Sequence, residues 1–204
     1  MTIILVRHGA TALNVARVLQ PPDTPLSASG LAQAEAVARA LVVLRPAGLV
    51  SSDLPRAMLT AEAIARATGL SLSTTPLLQE RNFGDLRGRA YDTLGFDPLT
   101  LVHAPPGGES ASDFESRVAQ AFALLVQRRA GLAGPLVVVT HGLVIRAMLA
   151  GPAGLAPALL EGLHIGNTAV TVLAEGPPHA VQGFNSTEHL DTGSRDDPRA
   201  LVGG

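Results

Sequence analysis

Two histidines stand at matching places in this chain. His8 and His141 each follow a short apolar run, residues 3–6 and 136–139, and each precedes a glycine. Apolar runs of this length, rich in Val and Ile, are typical of strands that are buried on both faces of a parallel sheet. Ligands of such sheets bind at the carboxyl ends of the strands, where a glycine lets the backbone approach them closely. The pattern predicts a reaction centre with two imidazoles, whereas either histidine alone would be typical of a core residue.

All fixed positive charge in the chain comes from arginine. Its 15 basic side chains are all arginine, and lysine is absent. Schiff-base chemistry and a P-loop lysine are therefore excluded, and guanidinium groups are the fixed cations left to bind an anionic substrate. Biased codon usage explains the absence of lysine equally well, so this feature is informative only beside an anion-binding motif.

The composition is that of a folded chain. Hydrophobic residues make up 47% of the 204 positions and charged residues 16%, which predicts extensive burial. No change in composition separates two halves. We therefore expect one domain over residues 1–190 and a loose polar tail over residues 191–204.

Charge and cysteine usage exclude several classes of function. The formal net charge is −2, so the chain lacks the diffuse positive surface that nucleic-acid binding requires. Without cysteine there is no disulfide, thiolate nucleophile or zinc–thiolate site. No apolar stretch approaches the roughly 20 residues that span a bilayer, and the first residues lack the basic flank of a secretion signal. We expect a cytoplasmic protein with neither nucleic acid nor membrane as a partner.

Strands and helices are predicted to alternate between the two histidines. Ser27 or Ser29 can cap a helix that runs to about Leu44, and a strand over residues 49–51 and a helix over residues 55–68 follow. The first of these helices is expected to bury one face, formed by Leu31, Ala34, Ala38, Leu41 and Val42.

The longest predicted helix lies in the middle of the chain. Residues 112–115 have the spacing of a capping box, and Gly131 ends the helix that they start. Its expected buried stripe consists of Phe114, Val118, Ala121, Phe122 and Leu125.

The last part of the domain is predicted to close the sheet. A short helix after the second histidine ends at Gly151, and a further helix is expected near residues 155–162. Residues 169–173 and 180–184 flank a glycine–proline turn, which favours a hairpin at a sheet edge.

Residues 84–109 are predicted to run over the surface as a lid. They contain five glycines and three prolines with little periodicity, and excursions of this length are usually binding loops. The segment also carries an apolar set that either caps a ligand pocket or packs the lid onto the domain, namely Leu94, Phe96, Leu99, Leu101, Val102 and His103.

The segment from Arg7 to Asn14 resembles the R-H-G-x-T-x-x-N signature of the histidine phosphatase superfamily, which includes phosphoglycerate mutase. Five more segments resemble the same family in the same order, namely residues 25–34, 51–61, 78–84, 107–110 and 185–190. The resemblance covers nearly the whole chain. It implies an α/β fold of three layers, α/β/α, with a mostly parallel central sheet as in phosphoglycerate mutase.

The resemblance also implies roles for individual residues. Catalytic roles are implied for His8, Glu80, His141, Arg7 and Arg56. Substrate binding is implied for Arg7, Gly9, Thr11, Asn14, Gln20, Arg56, Arg81, Gly142 and Leu143. No metal is implied, because no metal-ligand spacing occurs among the remaining histidines, which are His103, His164, His179 and His189.

The chemistry of these residue types agrees with phosphoryl transfer. Hydrolysis of a phosphate monoester needs a nucleophile, charge stabilisation and a proton for the leaving oxygen. His8 can attack when neutral, and nearby guanidinium groups favour the neutral form. Arg7 and Arg56 can bind the phosphoryl oxygens, while Asn14 and His141 can add donors. An exposed Arg56 on a solvated helix face is the alternative interpretation of that residue.

Glu80 is the candidate general acid. A carboxyl group that is partly buried beside a phosphate has a raised pKa and stays protonated long enough to donate a proton, after which it can act as a base toward water. The alternative is that Glu80 forms a surface ion pair with Arg81.

Within the family, the sequence favours a phosphatase that acts on small phosphate monoesters. The lid is short, so water can reach a phosphohistidine, and its apolar residues favour a substrate with a nonpolar part such as alpha-ribazole phosphate. The segment from Glu80 to Gly88 resembles the mutase form, which keeps a cofactor-dependent phosphoglycerate mutase as the alternative. Only that alternative requires a cofactor, a bisphosphoglycerate primer. A silent phospho-ligand-binding regulator is a second alternative, and a homodimer is a further expectation.

Overall fold

The computed structural model describes residues 2–156, 160, 164–177 and 179–191. Most of the helix expected near residues 155–162 and nearly all of the expected tail over residues 191–204 lie outside these residues. None of the helices that the structure does describe is both long and apolar enough to cross a membrane.

A six-stranded sheet forms the centre of the fold. Its strands are β1 (Ile3–Arg7), β2 (Gly48–Ser51), β3 (Leu72–Thr74), β4 (Leu136–Thr140), β5 (Val170–Leu173) and β6 (Val181–Ser186). The spatial order is β3-β2-β4-β1-β5-β6. The first four pair in parallel, while β5 runs antiparallel to both of its neighbours. The predicted mostly parallel sheet and its closing hairpin are confirmed.

Register brings the two histidines to the same level. β1 and β4 are adjacent and parallel, with Ile3 opposite Leu136 and Arg7 opposite Thr140. Each strand ends one residue before a histidine, so His8 and His141 leave the sheet side by side at its carboxyl edge. The pairing of β1 with β4 therefore brings together two histidines that are far apart in the sequence.

Among the described residues, five α-helices of four residues or more accompany the sheet, and each face of the sheet has its own apolar core. They are α1 (Ala12–Val15), α2 (Ala28–Val42), α3 (Pro55–Thr68), α4 (Ala111–Ala130) and α5 (Gly142–Ala150). Successive strand residues point to opposite faces. Ile4 and Val6 accordingly pack with α2 and α3, whereas Ile3 and Leu5 pack with α4 and α5. The three-layer α/β/α architecture is confirmed.

The buried face of α2 differs from the prediction at its two ends. Ser27 rather than Ser29 caps the helix, accepting a hydrogen bond from the Gly30 N–H at 3.1 Å. Ala34, Ala38 and Leu41 are buried as predicted, but Leu31 is 48% exposed and Val42 is 43% exposed. The prediction for these two residues was wrong because the helix contacts the loop after β1 through Gly30 and Gln33, which rotates the buried stripe away from them.

The start of α4 also corrects the sequence analysis. Ser110, not Ser112, is the capping residue, since its hydroxyl accepts from the Asp113 N–H at 3.1 Å and donates to the Asp113 carboxylate at 2.6 Å. The preceding Glu109 is held by Arg117 at 2.8 Å, which makes the chain enter the helix at Ser110. The predicted apolar stripe is buried and Gly131 ends the helix, as expected.

The lid, residues 84–109, contains three short 3-10 helices, Gly84–Leu86, Tyr91–Thr93 and Pro98–Thr100, joined by turns and irregular backbone. It is fastened to the chain after α1, because the Gly88 N–H donates to the Leu19 carbonyl at 2.7 Å and the Leu19 N–H to the Arg89 carbonyl at 3.0 Å. Leu19, Phe83, Tyr91 and Leu94 form a small separate core beneath it.

The apolar set of the lid divides into two kinds of residue. Leu94 is buried in the small core and Leu99 packs against it, as the packing interpretation requires. Phe96 is 47% exposed and Val102 is 67% exposed, so these two are not used to attach the lid. The short strand β3 and the single-turn helix α1 were not anticipated, because neither has the apolar periodicity of a longer element.

Candidate active site

His8 and His141 face one another at the carboxyl edge of the sheet. Their ring centroids are 5.1 Å apart with the planes tilted by 57°, and both side chains are fully buried. Arg7, Arg56 and Asn14, also buried, complete this group. We call these five residues the phosphate pocket.

The hydrogen bonding of His8 leaves a nucleophilic nitrogen available. Its Nδ1 lies 2.8 Å from the Gly9 carbonyl oxygen, and because a carbonyl only accepts, Nδ1 carries the proton. Nε2 then holds a lone pair and has no hydrogen-bond partner among the described residues. Burial above all, followed by the charges of Arg56 and Arg7, lowers the pKa of His8 well below the usual histidine value. The ring is therefore neutral and able to attack.

His141 contacts Ser52, a residue to which the sequence analysis gave no role. Its Nε2 lies 2.9 Å from the Ser52 hydroxyl, while Nδ1 has no partner within the described part of the chain. Burial and then the positive charge of Arg56 keep the pKa of His141 well below its usual value. If the serine donates to Nε2, the Nδ1 proton is available to a ligand.

The two arginines place positive charge inside the protein. Arg56 follows Pro55 at the start of α3, and its Nη1 donates to the Pro21 carbonyl at 3.4 Å. Its Nε has no partner among the described residues, and burial lowers its pKa to about 10. A buried guanidinium with an unused N–H is costly unless an anion completes its bonding. Arg7, fully buried, donates to the Ile165 carbonyl. The interpretation of Arg56 as a solvated residue is wrong.

The signature residues Thr11 and Asn14 form a reciprocal cap at the start of α1. The Thr11 hydroxyl accepts from the Asn14 N–H, and the Asn14 side-chain oxygen accepts from the Thr11 N–H, both at 3.1 Å. Thr11 also donates to the Gln20 side chain at 2.9 Å. The Asn14 Nδ2 is buried without a partner among the described residues. The cap therefore presents a neutral donor to a ligand.

Gly9 serves packing as well as ligand access. A Cβ atom at Gly9 would lie 2.5 Å from the Gly30 carbonyl oxygen, and one at Gly30 would lie 2.0 Å from the Ala10 oxygen. The two glycines therefore let the loop after β1 lie directly on α2. The Gly9 N–H donates to Thr60 at 3.0 Å, a contact that no sequence pattern indicated.

Glu80 is buried with both carboxylate oxygens held by the backbone. Oε1 accepts from the Arg81 N–H at 2.9 Å and Oε2 from the Leu143 N–H at 3.1 Å. Burial raises the pKa of Glu80, and this outweighs the opposing effects of these N–H groups and of Arg56 and Arg7. The alternative of a surface ion pair with Arg81 is wrong, because the carboxyl group is only 3% exposed.

The loop that carries Glu80 is fixed by an ion pair on α4. Arg117 makes two bonds to the Glu109 carboxylate, at 2.9 and 2.8 Å, and also donates to the Leu77 and Gln79 carbonyls. The Thr140 hydroxyl donates to the Leu78 carbonyl at 2.7 Å, which joins the loop to the end of β4. Sequence reasoning missed Arg117, since its spacing of eight from Glu109 fits no short-range pattern.

Two of the predicted substrate-binding residues contact Glu80 through their backbone. The Arg81 guanidinium donates to the Leu101 carbonyl at 2.6 Å and lies over the Phe83 ring, 5.4 Å from its centroid. This side chain therefore binds the lid. Leu143, next to Gly142 at the start of α5, packs its side chain in the apolar cores. Both residues position the carboxyl group, and a substrate contact for either stays a prediction.

The four remaining histidines are not among the five residues of the phosphate pocket. Within the residues that the structure describes, no group of three His, Asp or Glu side chains is arranged to hold a metal ion. His189 does have a defined contact, with its Nε2 lying 3.0 Å from the Thr168 hydroxyl.

A three-layer fold with paired histidines, buried arginines and a buried carboxyl group at one sheet edge is the arrangement of a phosphoryl-transfer enzyme. Comparison with known families gives the class, since the histidine phosphatase superfamily (branch 1) matches residues 3–182. The chain belongs to this superfamily.

Individual relatives are similar over nearly their whole length. A probable phosphoglycerate mutase of Yersinia pestis is 32% identical, covering 97% of this chain and 98% of the relative. A mycobacterial glucosyl-3-phosphoglycerate phosphatase is 32% identical with a TM-score of 0.78, over 91% of this chain and 99% of that chain. A phosphoserine phosphatase of Entamoeba histolytica is 26% identical with a TM-score of 0.79, over 93% and 98%. Phosphatases are thus among the relatives of this chain.

Proposed function

We propose that this protein is a phosphatase that hydrolyses small phosphate monoesters through a phosphohistidine intermediate. The proposal rests above all on the Nε2 atom of His8, whose lone pair has no hydrogen-bond partner among the described residues. It lies in a buried group that contains Arg7 and Arg56 and the unpartnered amide donor of Asn14. A neutral nucleophile surrounded by donors for oxyanions is suited to attack on a phosphoryl group.

The first step is transfer of the phosphoryl group to the enzyme. The His8 Nε2 forms a bond to phosphorus while the bond from phosphorus to the leaving oxygen breaks. Arg7, Arg56 and the proton of His141 stabilise the charge on the equatorial oxygens. Glu80, whose protonated form is favoured by burial that raises its pKa, gives its proton to the leaving oxygen.

The second step returns the enzyme to its starting state. Water attacks phosphorus, the bond between phosphorus and His8 breaks, and Glu80 takes the proton that the water loses. Inorganic phosphate leaves, with His8 neutral and Glu80 protonated again. Atoms and charges balance over the two steps without a further reactant.

A phosphoglycerate mutase is the second candidate, favoured by the probable mutase among the relatives. A mutase has to keep water from the phosphohistidine until a second hydroxyl arrives. The lid of this chain is one short segment whose regular structure is three single-turn helices, and a small lid favours access of water to the phosphohistidine. The phosphatases among the relatives also favour hydrolysis over transfer to a second acceptor.

The relatives narrow the first choice of substrates. Their names and ligands include glucosyl-3-phosphoglycerate, phosphoserine and 3-phosphoglyceric acid, and each is a phosphate ester that also carries a carboxylate. Arg87, half-buried on the lid, lies near enough for its charge to influence the pKa of Arg56. Carboxylate-bearing phosphates therefore belong in the first panel, beside ring-bearing ones such as alpha-ribazole phosphate.

The test combines turnover with capture of the intermediate. The protein is incubated with p-nitrophenyl phosphate and with the panel, and phosphate release is measured. A radiolabelled substrate should leave a label on the protein that is acid-labile and base-stable. 3-Phosphoglycerate with a bisphosphoglycerate primer then measures isomerisation, and isomerisation faster than phosphate release would replace the phosphatase proposal with the mutase. Tight binding without turnover or label would support the silent regulator.

A further inference from the structure

The turn formed by residues 164–169, just before β5, contacts the phosphate pocket but has no role in the two steps above. The Arg7 N–H donates to the Ala169 carbonyl at 3.2 Å, and the Arg7 side chain donates to the Ile165 carbonyl. The Thr168 N–H donates to the His8 carbonyl, also at 3.2 Å. The backbone of both pocket residues at the end of β1 is therefore attached to this one turn.

Asn167 links two members of the phosphate pocket. Its side-chain Nδ2 lies 2.9 Å from the His8 carbonyl oxygen and 3.5 Å from the Asn14 side-chain oxygen. Asn167 is 1% exposed. The Asn14 oxygen already accepts from the Thr11 N–H at 3.1 Å, and Asn167 adds a second, longer donor that supports the same orientation of the amide, with Nδ2 left for a ligand.

The turn holds an unfavourable backbone conformation at Thr168. Its φ is 56°, in the left-handed region where a β-branched residue is a true outlier. The Thr168 hydroxyl donates to the Asn167 carbonyl at 2.7 Å and, its single proton being used, accepts from His189 Nε2 at 3.0 Å. Strain of this kind persists where surrounding contacts overdetermine it, and it is concentrated at functional sites.

The closing stretch, residues 185–190, braces the turn from the other side. The Asn185 side chain accepts from the Gly166 N–H at 3.0 Å and donates to the His164 carbonyl at 2.8 Å. His189 comes from the same stretch. One of the six segments that resemble the family thus holds the turn at three points while touching none of the reacting groups.

We propose that this braced turn is the positioning element of the nucleophile, and that Asn167 is the positioning residue that sets His8 and Asn14 relative to one another. The inference rests on the proposed function in taking His8 as the nucleophile. Asn167 acts through the His8 backbone and the Asn14 amide and does not itself contact the phosphoryl group.

The first variant to test is Asn167→Asp, which keeps the size of the side chain and replaces its donor with an acceptor. The new carboxylate oxygen faces the His8 carbonyl oxygen at the place of a 2.9 Å hydrogen bond and the Asn14 oxygen at 3.5 Å, and repulsion between these oxygens moves His8 and Asn14 out of position. We expect kcat/KM for p-nitrophenyl phosphate to fall by about 100-fold, the loss typical of a catalytic group misplaced by about 1 Å. The affinity for inorganic phosphate, measured by calorimetry, should weaken as well.

Val172→Ala is the matched control, because Val172 is half-buried on β5, beyond the turn, where it lies opposite Ile4 on one side and Gly183 on the other. It should lower the melting temperature while leaving kcat/KM and phosphate affinity within about 2-fold of the wild type. Asn185→Ala removes the brace at a half-exposed position, and a loss of about 10-fold in kcat/KM is expected without loss of the fold. Unchanged kcat/KM and phosphate affinity in either Asn167→Asp or Asn185→Ala would overturn the proposal.

A double-variant cycle tests the route through Asn14. If Asn167 acts through Asn14, the double variant Asn14→Ala/Asn167→Ala should lose much less activity than the product of the two single losses. Independent, multiplicative losses would overturn the proposed coupling. A wild-type protein without phosphatase activity or label would remove the proposed function instead. In that case, the phosphate affinities of Asn167→Asp and Asn185→Ala, measured by calorimetry, would still decide for or against the positioning role.

Discussion

The phosphate pocket and the lid use similar residues in opposite ways. In the pocket, arginines and histidines are buried at the ends of β1 and β4 and at the start of α3, where regular elements hold them. In the lid, the arginines are half-exposed or exposed, and the backbone consists of turns and single-turn helices held by bonds to residues 17–19 and to the Arg81 side chain. Charge is therefore buried in the phosphate pocket, where we propose that the phosphoryl group binds, and left near solvent in the lid.

This difference separates what is common to the reaction from what is particular to a substrate. Every phosphate monoester has the same phosphoryl group, so a rigid pocket with fixed cations suits all of them. Leaving groups differ, and a surface segment can change without disturbing the core. The comparison implies that pocket variants lose activity with every substrate, whereas lid variants change the preference among substrates.

The largest effect is expected from His8→Ala. Without the nucleophile no phosphohistidine forms, and activity should fall by at least about 10⁴-fold with all substrates. His103→Ala, which alters an exposed histidine of the lid, is the control. Phosphate release and protein labelling are the measurements, and a label retained in His8→Ala would show that another residue is attacked.

A loss of about 10²- to 10³-fold is expected from Arg56→Gln, because one donor to the developing charge is lost. The same variant should be more stable to urea at neutral pH, since a buried cation with an unused N–H is removed. Arg66→Gln is the matched control on the same helix, where the arginine is exposed and paired with Glu35 at 2.6 Å. Equal effects of the two variants would contradict the assignment of the anion site to Arg56.

The pH dependence follows from the two shifted groups. The lowered pKa of His8 keeps the nucleophile neutral into acid, so kcat/KM should persist below the usual histidine value of about 6.5. Burial raises the pKa of Glu80, so the acid stays protonated above the usual range of a glutamate. We expect kcat/KM to fall as the pH rises through this raised pKa. The expected profile is a bell with its maximum on the acid side.

Glu80→Gln tests this assignment by leaving group. The variant should lose the basic limb of the profile and about 10²-fold in kcat/KM with alkyl phosphates, because kcat/KM reports on the first step and their leaving oxygen needs a proton. The loss of kcat/KM with p-nitrophenyl phosphate should be much smaller, because p-nitrophenolate leaves without one. Equal losses of kcat/KM with both substrates would contradict the role of Glu80 as the acid of the first step.

The smallest effects are expected in the lid. Phe96→Ala changes an exposed side chain, so melting temperature and kcat with small phosphates should remain close to the wild type. If Phe96 contacts the substrate, Phe96→Ala should raise the KM of a ring-bearing phosphate alone, and this would sharpen the contrast between lid and pocket.

Leu94→Ala, which opens a gap in the small core under the lid, should destabilise that region by about 2–5 kcal/mol.

Much of the fold could be predicted because it depends on local patterns. The strands β1 and β4 are continuous apolar runs, and the ends of α2, α3 and α4 carry capping residues or glycine, which act within one turn. The errors lie where tertiary contacts override those patterns. Leu31 and Val42 were placed inside because periodicity alone cannot detect how Gly30 rotates the helix.

The sequence by itself determined the chemical inventory of this protein: two histidines at strand ends, arginine as its fixed cation, and a signature that forms a local cap at Thr11 and Asn14. Only the tertiary structure decided that Glu80 is buried and held by backbone N–H groups, that Ser52 contacts His141, and that Asn167 joins His8 to Asn14. Except for the bond between the neighbours Arg81 and Glu80, these contacts join residues 63 to 159 positions apart, beyond the reach of any local pattern. Long-range packing sets both the burial that shifts each pKa and the hydrogen bonds that aim each group.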